Sequence, residues 1–357
     1  MSGVDAHRLE GPDAWSGHEL AQSTRWTWHL SPQHQREIDL ALNAVMDERW
    51  RVAAIPKAHF DLPTLSVTLA EISHELEHGC GIAKLSGLRV DAYSDEELGC
   101  LWLGIGAHIG RPLYQDPFGL MLREICDEGS EVGVRYGQIQ TGAGEVFLSS
   151  RARALSTGPL RFHTDRADVV ALLCLGQAHS GGVSKLASSV NVHNQMLERH
   201  PNLLGLLYGV IYRSRLGEEH GGESMVYPLP VFGVRDEKFS SHYSRTFVEA
   251  AQKLDGVPRM SEKQWEALDL LAQLAEESCF EMVLERGDMQ FINNHVVYHA
   301  RTAFEDAEPA GRRRRLYRLW LCPPTNRALP LGHEVLWRNI DAGSLRGGIA
   351  QAPRQAR

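Results

Sequence analysis

The sequence predicts a mainly β domain, an antiparallel sandwich or barrel, with a helical first third beside it. Three observations carry that reading. From about Val132 onward, short β-rich stretches recur between Gly and Asp turns: DVVALLCLG, LLYGVIYRSR, FEMVLERGD, MQFINNHVVYH and RLYRLWLC. They do not alternate regularly with helices, which argues against a doubly wound parallel sheet. Ahead of them, three segments carry apolar residues at helical spacing, each with a start or stop signal.

The first helix opens at Ser31-Pro32, serine as cap and proline at the first position, and continues through Glu48. The second spans about Leu65 to His78 and stops at Gly79. The third begins at Ser94, where Ser94 and Glu97 form a capping box. Within the β-rich part, helices are expected over 191–200, closed by Pro201, and over 261–278, where Ser261 and Gln264 offer another capping box. His193 and His200 flank the first of these and are expected to cap it or face water. Gly287-Asp288 is a turn signal before the next strand, and Asn293-Asn294 also reads as turn. The stretch GIGAHIG (104–110) has the wrong spacing for a nucleotide loop and no strand before it. The final residues, GGIAQAPRQAR, are expected to fray. Residues 1–357 therefore read as one catalytic domain: 1–130 mainly helical, 131–325 the β core with the site, and 326–357 a C-terminal tail.

Composition excludes several classes. The 357 residues are 43% hydrophobic and 23% charged, ordinary for a globular protein, with a formal net charge of −8. Arg312–Arg315 is the one dense basic cluster, too little for a nucleic-acid partner. No charged start precedes an apolar stretch at the N-terminus, and VVALLCLG is too short to cross a bilayer. The six cysteines (80, 100, 126, 174, 279, 322) form no CxxC pair and sit in apolar surroundings, as expected of reduced thiols in a cytoplasmic protein.

Two motifs compete for the chemistry. HELEH (74–78) matches the HExxH of zinc hydrolases: on a helix His74 and His78 share a face, Glu75 can act as base, and Glu96 or Glu97 can complete the set. Gly79 and Gly81 end that helix at once, however, and its charged residues read as a solvated face with Leu76 buried. GPLRFHTDRADVV (158–170) is the stronger candidate. In a strand His163 and Asp165 point the same way, two corners of the two-His-one-carboxylate triad of non-haem iron oxygenases.

Alone, HxD is a weak signal; three further features support it. His299, before Ala300-Arg301, can reach back as the third ligand, with His295 a rival expected on the same strand face. Arg314 and Arg318 lie four apart on one face of a strand that turns apolar around them, suited to holding a carboxylate. Ser184 follows a glycine pair in GGVSKLASS, where a hydroxyl can approach the same carboxylate. Tyr136 and Gln138, in VRYGQIQ, are read either as cavity lining or as ordinary strand residues.

The pieces FHTD, GGVSKLAS, GDMQFINN…HART and RRLYRLW, in that order over about residues 155–325, resemble the taurine-dioxygenase family of Fe(II)- and 2-oxoglutarate-dependent oxygenases, the clavaminate-synthase-like group. The resemblance implies a double-stranded β-helix (jelly-roll) core, with Fe(II), 2-oxoglutarate and O2 as the reaction's requirements. It implies that His163, Asp165 and His299 ligate iron, His299 being preferred because the family ligand stands just before the Ala-Arg pair. Arg314 matches the arginine for the distal carboxylate of 2-oxoglutarate, and Arg318 a second arginine near cosubstrate or substrate. Ser184 stands where many members have threonine. The long spacing from His299 to Arg314 implies an enlarged loop, FEDAEPAGR, at the mouth. The implied reaction is hydroxylation of a small substrate, with bond cleavage possible afterwards and with release of succinate and CO2. An Arg318 facing the substrate favours an anionic or zwitterionic molecule, and the polar loop 214–228 is expected to act as a lid. Family members often form homo-oligomers. A zinc hydrolase and a non-catalytic jelly-roll binding protein are the alternatives; the intact ligand set disfavours the latter.

Overall fold

Two facing sheets form the core, and the helical first third covers the outer side of the larger one. The computed structural model describes residues 7–47, 55–140, 146–219, 222–307 and 313–349. Glu48, part of the FEDAEPAGR loop (308–312), two residues of the 214–228 loop and the last eight residues lie outside that description. In chain order the strands of the two sheets are β1 (Thr27–His29), β2 (Ile82–Ser86), β3 (Arg111–Pro112), β4 (Leu122–Ile125), β5 (Leu160–His163), β6 (Val169–Gly176), β7 (Ser184–Ser188), β8 (Phe280–Met282), β9 (Met289–Asn293), β10 (Val297–Arg301) and β11 (Arg315–Cys322). The larger sheet runs β1-β2-β9-β6-β11-β3, with β4 also paired to β11; the smaller runs β8-β7-β10-β5. All these pairings are antiparallel except β1 with β2.

Alternation along β11 explains the layering. Tyr317, Leu319 and Leu321 pack outward with the N-terminal helices, whereas Leu316, Trp320 and Cys322 belong to inner clusters. β6 divides the same way, Val169, Ala171 and Leu173 outward and Val170 and Cys174 inward. A sheet covered on both faces reads as a near-continuous apolar run, and VVALLCLG is one. The outer cover comes from α1 (Pro32–Asp47), α2 (Leu65–His78) and α3 (Asp95–Ile109), which begin and end at the expected signals wherever described. The glycines of GIGAHIG serve this packing: a Cβ on Gly104 would lie 2.4 Å from the Phe60 ring, and one on Gly106 2.5 Å from Leu319. The smaller sheet is backed by α4 (Ser189–Arg199) and α5 (Glu262–Ser278), the latter with the expected Ser261–Gln264 capping box.

The structure corrects several expectations. The first third is not only helical, because β1 to β4 join the larger sheet; these two- to five-residue strands are too short for a local pattern to show. MQFINNHVVYH is two strands in different sheets, joined by a turn at 294–296, so His295 does not share a strand face with His299. Its Nε2 donates to Asp168 Oδ1 at 2.7 Å instead. Pro201 ends one helix and starts another, Pro201–Leu207, which takes the first two residues of LLYGVIYRSR; only Ile211–Ser214 is strand there. His193 neither caps nor faces water: it is fully buried, its Nε2 2.8 Å from the Tyr208 hydroxyl and its ring edge-on to Phe232 and Phe239. The segment after residue 325 is packed in. Trp337 and Ile349 are buried, and Arg346 pairs with Asp168 at 2.7 Å. All six cysteines are free thiols, four buried and two half-buried.

Candidate metal centre and cosubstrate pocket

His163 and His299 face each other as cross-strand partners on β5 and β10, their ring centroids 4.1 Å apart. β5 ends at His163, so Asp165 is not carried by strand alternation but by the loop that follows. That loop is held by Asn294, whose Oδ1 accepts from the Asp165 N–H at 2.9 Å while its Nδ2 donates to the carbonyls of Asp165 and Ala167 at 2.5 and 2.9 Å. One ligand-type atom from each of His163, Asp165 and His299 lies within 4.8 Å of the others; among the described residues no other group of three meets that condition.

The chemistry of these atoms suits a divalent cation. The His163 Nδ1 lies 2.9 Å from the Arg161 carbonyl, an arrangement that puts the proton on Nδ1 and leaves the Nε2 lone pair free. Nε2 is 3.6 Å from Asp165 Oδ1. Burial lowers the pKa of His299 to about 3, so its ring is neutral, and its Nδ1 is buried without a partner. Burial alone would raise Asp165, but the Arg318 guanidinium beside it outweighs that and holds the carboxyl well below its usual range. Two imidazoles and a carboxylate are the donor set of a mononuclear ferrous site.

Beside the triad a cavity runs between the sheets, lined by Leu172, Ser184, Leu186, Leu316, Arg314 and Arg318. Arg314 stands just ahead of β11 and is buried, its Nη1 without a hydrogen-bond partner among the described residues. Burial pushes its guanidinium down to about 10. Gly181 and Gly182, at φ +71° and +69°, turn the chain close against it: a Cβ on Gly182 would be 3.1 Å from Arg314 Cδ. Ser184, next on β7, lines the same space. Arg318 also lines it, but its Nε donates to Gln115 at 2.7 Å and its Nη1 to Asp165 Oδ2 at 3.1 Å.

The other candidates lie elsewhere. Tyr136 and Gln138 are not on one strand: Val132–Tyr136 is a short helix broken at Gly137, φ +104°. Neither lines the triad cavity. Tyr136 is clasped between the guanidinium groups of Arg123 and Arg151, its hydroxyl donating to Glu128 at 2.7 Å. In HELEH, His74 and His78 are exposed on α2, and Glu75 folds back to accept from the Cys80 N–H at 2.8 Å, acting as a helix stop. Neither Glu96 nor Glu97 completes a ligand group with them, and Glu97 is used in the Ser94 cap.

Residues 48–320 match the model of the taurine catabolism dioxygenase TauD, TfdA family. The chain belongs to this family. FR-33289 synthase of Streptomyces rubellomurinus is 29% identical over 327 residues, covering 90% of this chain and 92% of that protein. The taurine hydroxylase-like protein SAT17 of Stachybotrys chartarum is 29% identical over 342 residues, 93% of this chain and 82% of that one. Among solved structures, an asparagine oxygenase in complex with Fe(II), 3-hydroxyasparagine and succinate superposes with a TM-score of 0.62 at 17% identity, covering 83% of this chain and 93% of that one. The non-heme iron oxygenase OrfP, in complex with Fe and alpha-ketoglutaric acid, does so at 0.59 and 17%, covering 83% and 93%. This TauD/TfdA member is an Fe(II)- and 2-oxoglutarate-dependent oxygenase with a jelly-roll core, using dioxygen. Among its described residues no helix is long and apolar enough to cross a membrane.

Four residues that hold the site together escape sequence reasoning: Asn294, Gln115, Trp320 and Arg301. Arg301 donates to three carbonyls, those of Ala154, Ser156 and Gly158, and so fixes the approach to β5. Trp320 carried a legible signal, being two residues beyond Arg318 on the same strand face.

Proposed function

We propose that His163, Asp165 and His299 hold the iron, that Arg314 with Ser184 takes the distal carboxylate of 2-oxoglutarate, and that the substrate is a small anionic or zwitterionic molecule. The observation that carries this reading is the convergence of three ligand atoms beside a cavity ended by a buried, unpartnered guanidinium N–H. Bound iron, 2-oxoglutarate and dioxygen together supply oxidation of a substrate C–H bond, with succinate and CO2 released. This chain's residues supply the rest. Arg314 orients the cosubstrate through a charge-assisted pair, and Leu172, Leu186 and Leu316 keep water from the cavity.

Recognition of substrate falls to charged groups at the mouth. Arg318 has its Nη2 uncommitted, its other donors being held by Gln115 and Asp165. Glu218, in the loop between strands Ile211–Ser214 and Val226–Leu229, has a carboxyl without a hydrogen-bond partner among the described residues. Burial and the nearby Asp165 push it up to about 7, against the arginines at 166, 318 and 151. Arg318 lines the cavity and Glu218 is close enough to interact with it and with Asp165, a guanidinium and a carboxyl that together suit a zwitterion. The 214–228 loop is the lid; it is anchored through Arg215 to Val335 and through Glu223 to Arg166. Protection of its amides from hydrogen exchange that is the same with and without ligands would speak against a lid.

The test is optical and then chemical. Anaerobic Fe(II) with 2-oxoglutarate should give a weak visible charge-transfer band that His163→Ala abolishes. Succinate release stimulated by members of a panel of small acids then identifies the substrate class.

A further inference from the structure

Every polar atom of Asp165 has a partner except one. Its N–H and carbonyl are taken by Asn294. Its Oδ2 accepts from the Trp320 indole N–H at 2.8 Å and from Arg318 Nη1 at 3.1 Å. The oxygen left over is Oδ1, which faces His163 Nε2 across 3.6 Å, too long for a good hydrogen bond. The two donors to Oδ2 are themselves fixed. Trp320 is buried on the inner face of β11, and the Arg318 guanidinium lies 4.9 Å over its ring. Gln115 grips Arg318 twice, accepting from its Nε and donating to its carbonyl at 2.8 Å.

We propose that Trp320 is a positioning residue of the metal centre, holding Oδ2 of Asp165 with Arg318 so that the carboxylate presents a single oxygen to the metal. A carboxylate free to rotate can bind through both oxygens and occupy a position that the 2-oxo acid or dioxygen needs. Indole is well suited to prevent this. It has one donor and no acceptor, it cannot reach the metal itself as a ligand, and its ring is locked by packing. It is also neutral, so it directs the carboxylate without adding a second cation beside the metal. Arg318 is thereby tied to the ligand first, and only its Nη2 remains for substrate.

The inference rests on the ligand set proposed above, and the experiment separates the two. Binding of Co(II) alone, without cosubstrate, is measured by titration calorimetry on the parent, Trp320→Phe, Asp165→Ala and the double variant. Trp320→Phe keeps an aromatic ring and loses the donor. It should weaken Co(II) about 10- to 100-fold, as loss of an outer partner of a metal ligand does. In the Asp165→Ala background the same change should alter the affinity less than twofold, because there is no carboxylate left to direct. Unchanged affinity of Trp320→Phe, or an equal loss in both backgrounds, overturns the positioning role and leaves the ligand set standing. Asp165→Ala that binds Co(II) as tightly as the parent overturns the ligand set and the positioning role together. If Trp320→Phe does not fold by circular dichroism, benzothienylalanine at position 320, with sulfur in place of the N–H, gives the same comparison.

Discussion

Replacing Asn294 by alanine should damage the protein far more than a surface turn residue would. The side chain is fully buried and makes three hydrogen bonds to the backbone of the 165–167 loop. Alanine leaves the Asp165 N–H and two carbonyls unpaired where water does not reach. Each orphaned buried group costs about 1–3 kcal/mol, so three at the lower end of that range remove about 3–5 kcal/mol. That is a large share of the roughly 5–15 kcal/mol by which domains are stable. Urea unfolding of the metal-free protein reads the loss as a lower midpoint with an unchanged slope. Asn294→Asp makes the stricter test. It keeps the shape and the acceptor for Asp165 N–H, but turns a donor into an anion facing two carbonyls, so it should be no better than alanine. A loss below about 1 kcal/mol for Asn294→Ala, or a well-tolerated Asn294→Asp, would refute the pinning role.

The remaining expectations concern the metal, the cosubstrate, the mouth and pH. His163→Ala should abolish the Fe(II)–2-oxoglutarate absorption band, while His74→Ala leaves it intact; an anaerobic spectrum of each decides. Arg314→Leu should raise the half-saturating 2-oxoglutarate concentration about 10- to 100-fold, the worth of a charge-assisted pair, while Co(II) affinity without cosubstrate stays as in the parent. Glu218→Gln should raise KM for an amine-bearing substrate and spare substrate-independent succinate formation, which a steady-state comparison shows. Burial holds His193 at about 4 in the folded state, against an ordinary histidine near 6.5, so the unfolded chain binds more protons between those values. Its contribution to stability is therefore intact above about 6.5, falls with pH toward 4, and amounts to about 2 kcal/mol lost at pH 5. Urea midpoints at pH 7 and pH 5 should show that drop, reduced in His193→Phe.

What the sequence reveals depends on how local the cause is. β6 and β11 are legible because sheets covered on both faces leave long apolar runs, and the caps at Ser94 and Ser261 because their partners are three residues away. His163 and His299, 136 residues apart, were matched as a motif, but their cross-strand pairing is a matter of register that no window shows. Asn294 could be read as a turn residue, yet its partners lie 127 and 129 residues earlier. His193 misled because histidine beside a helix start is usually wet; the aromatic rings that bury it come about 40 residues later. His295 misled for the opposite reason. An apparently continuous strand conceals the turn at 294–296 that carries the chain from one sheet to the other.

The late segment bears on the order in which the protein can be completed during synthesis. The Gly348 N–H donates to the Arg166 carbonyl, Arg166 donates to the Leu336 carbonyl, and Arg346 reaches Asp168, all within three residues of Asp165. A nascent chain with both sheets already translated would still lack these ties. The loop that carries Asp165 can thus settle only after residues 336–348 have left the ribosome, and a truncation after 325 should yield sheets that form around a loosely held aspartate.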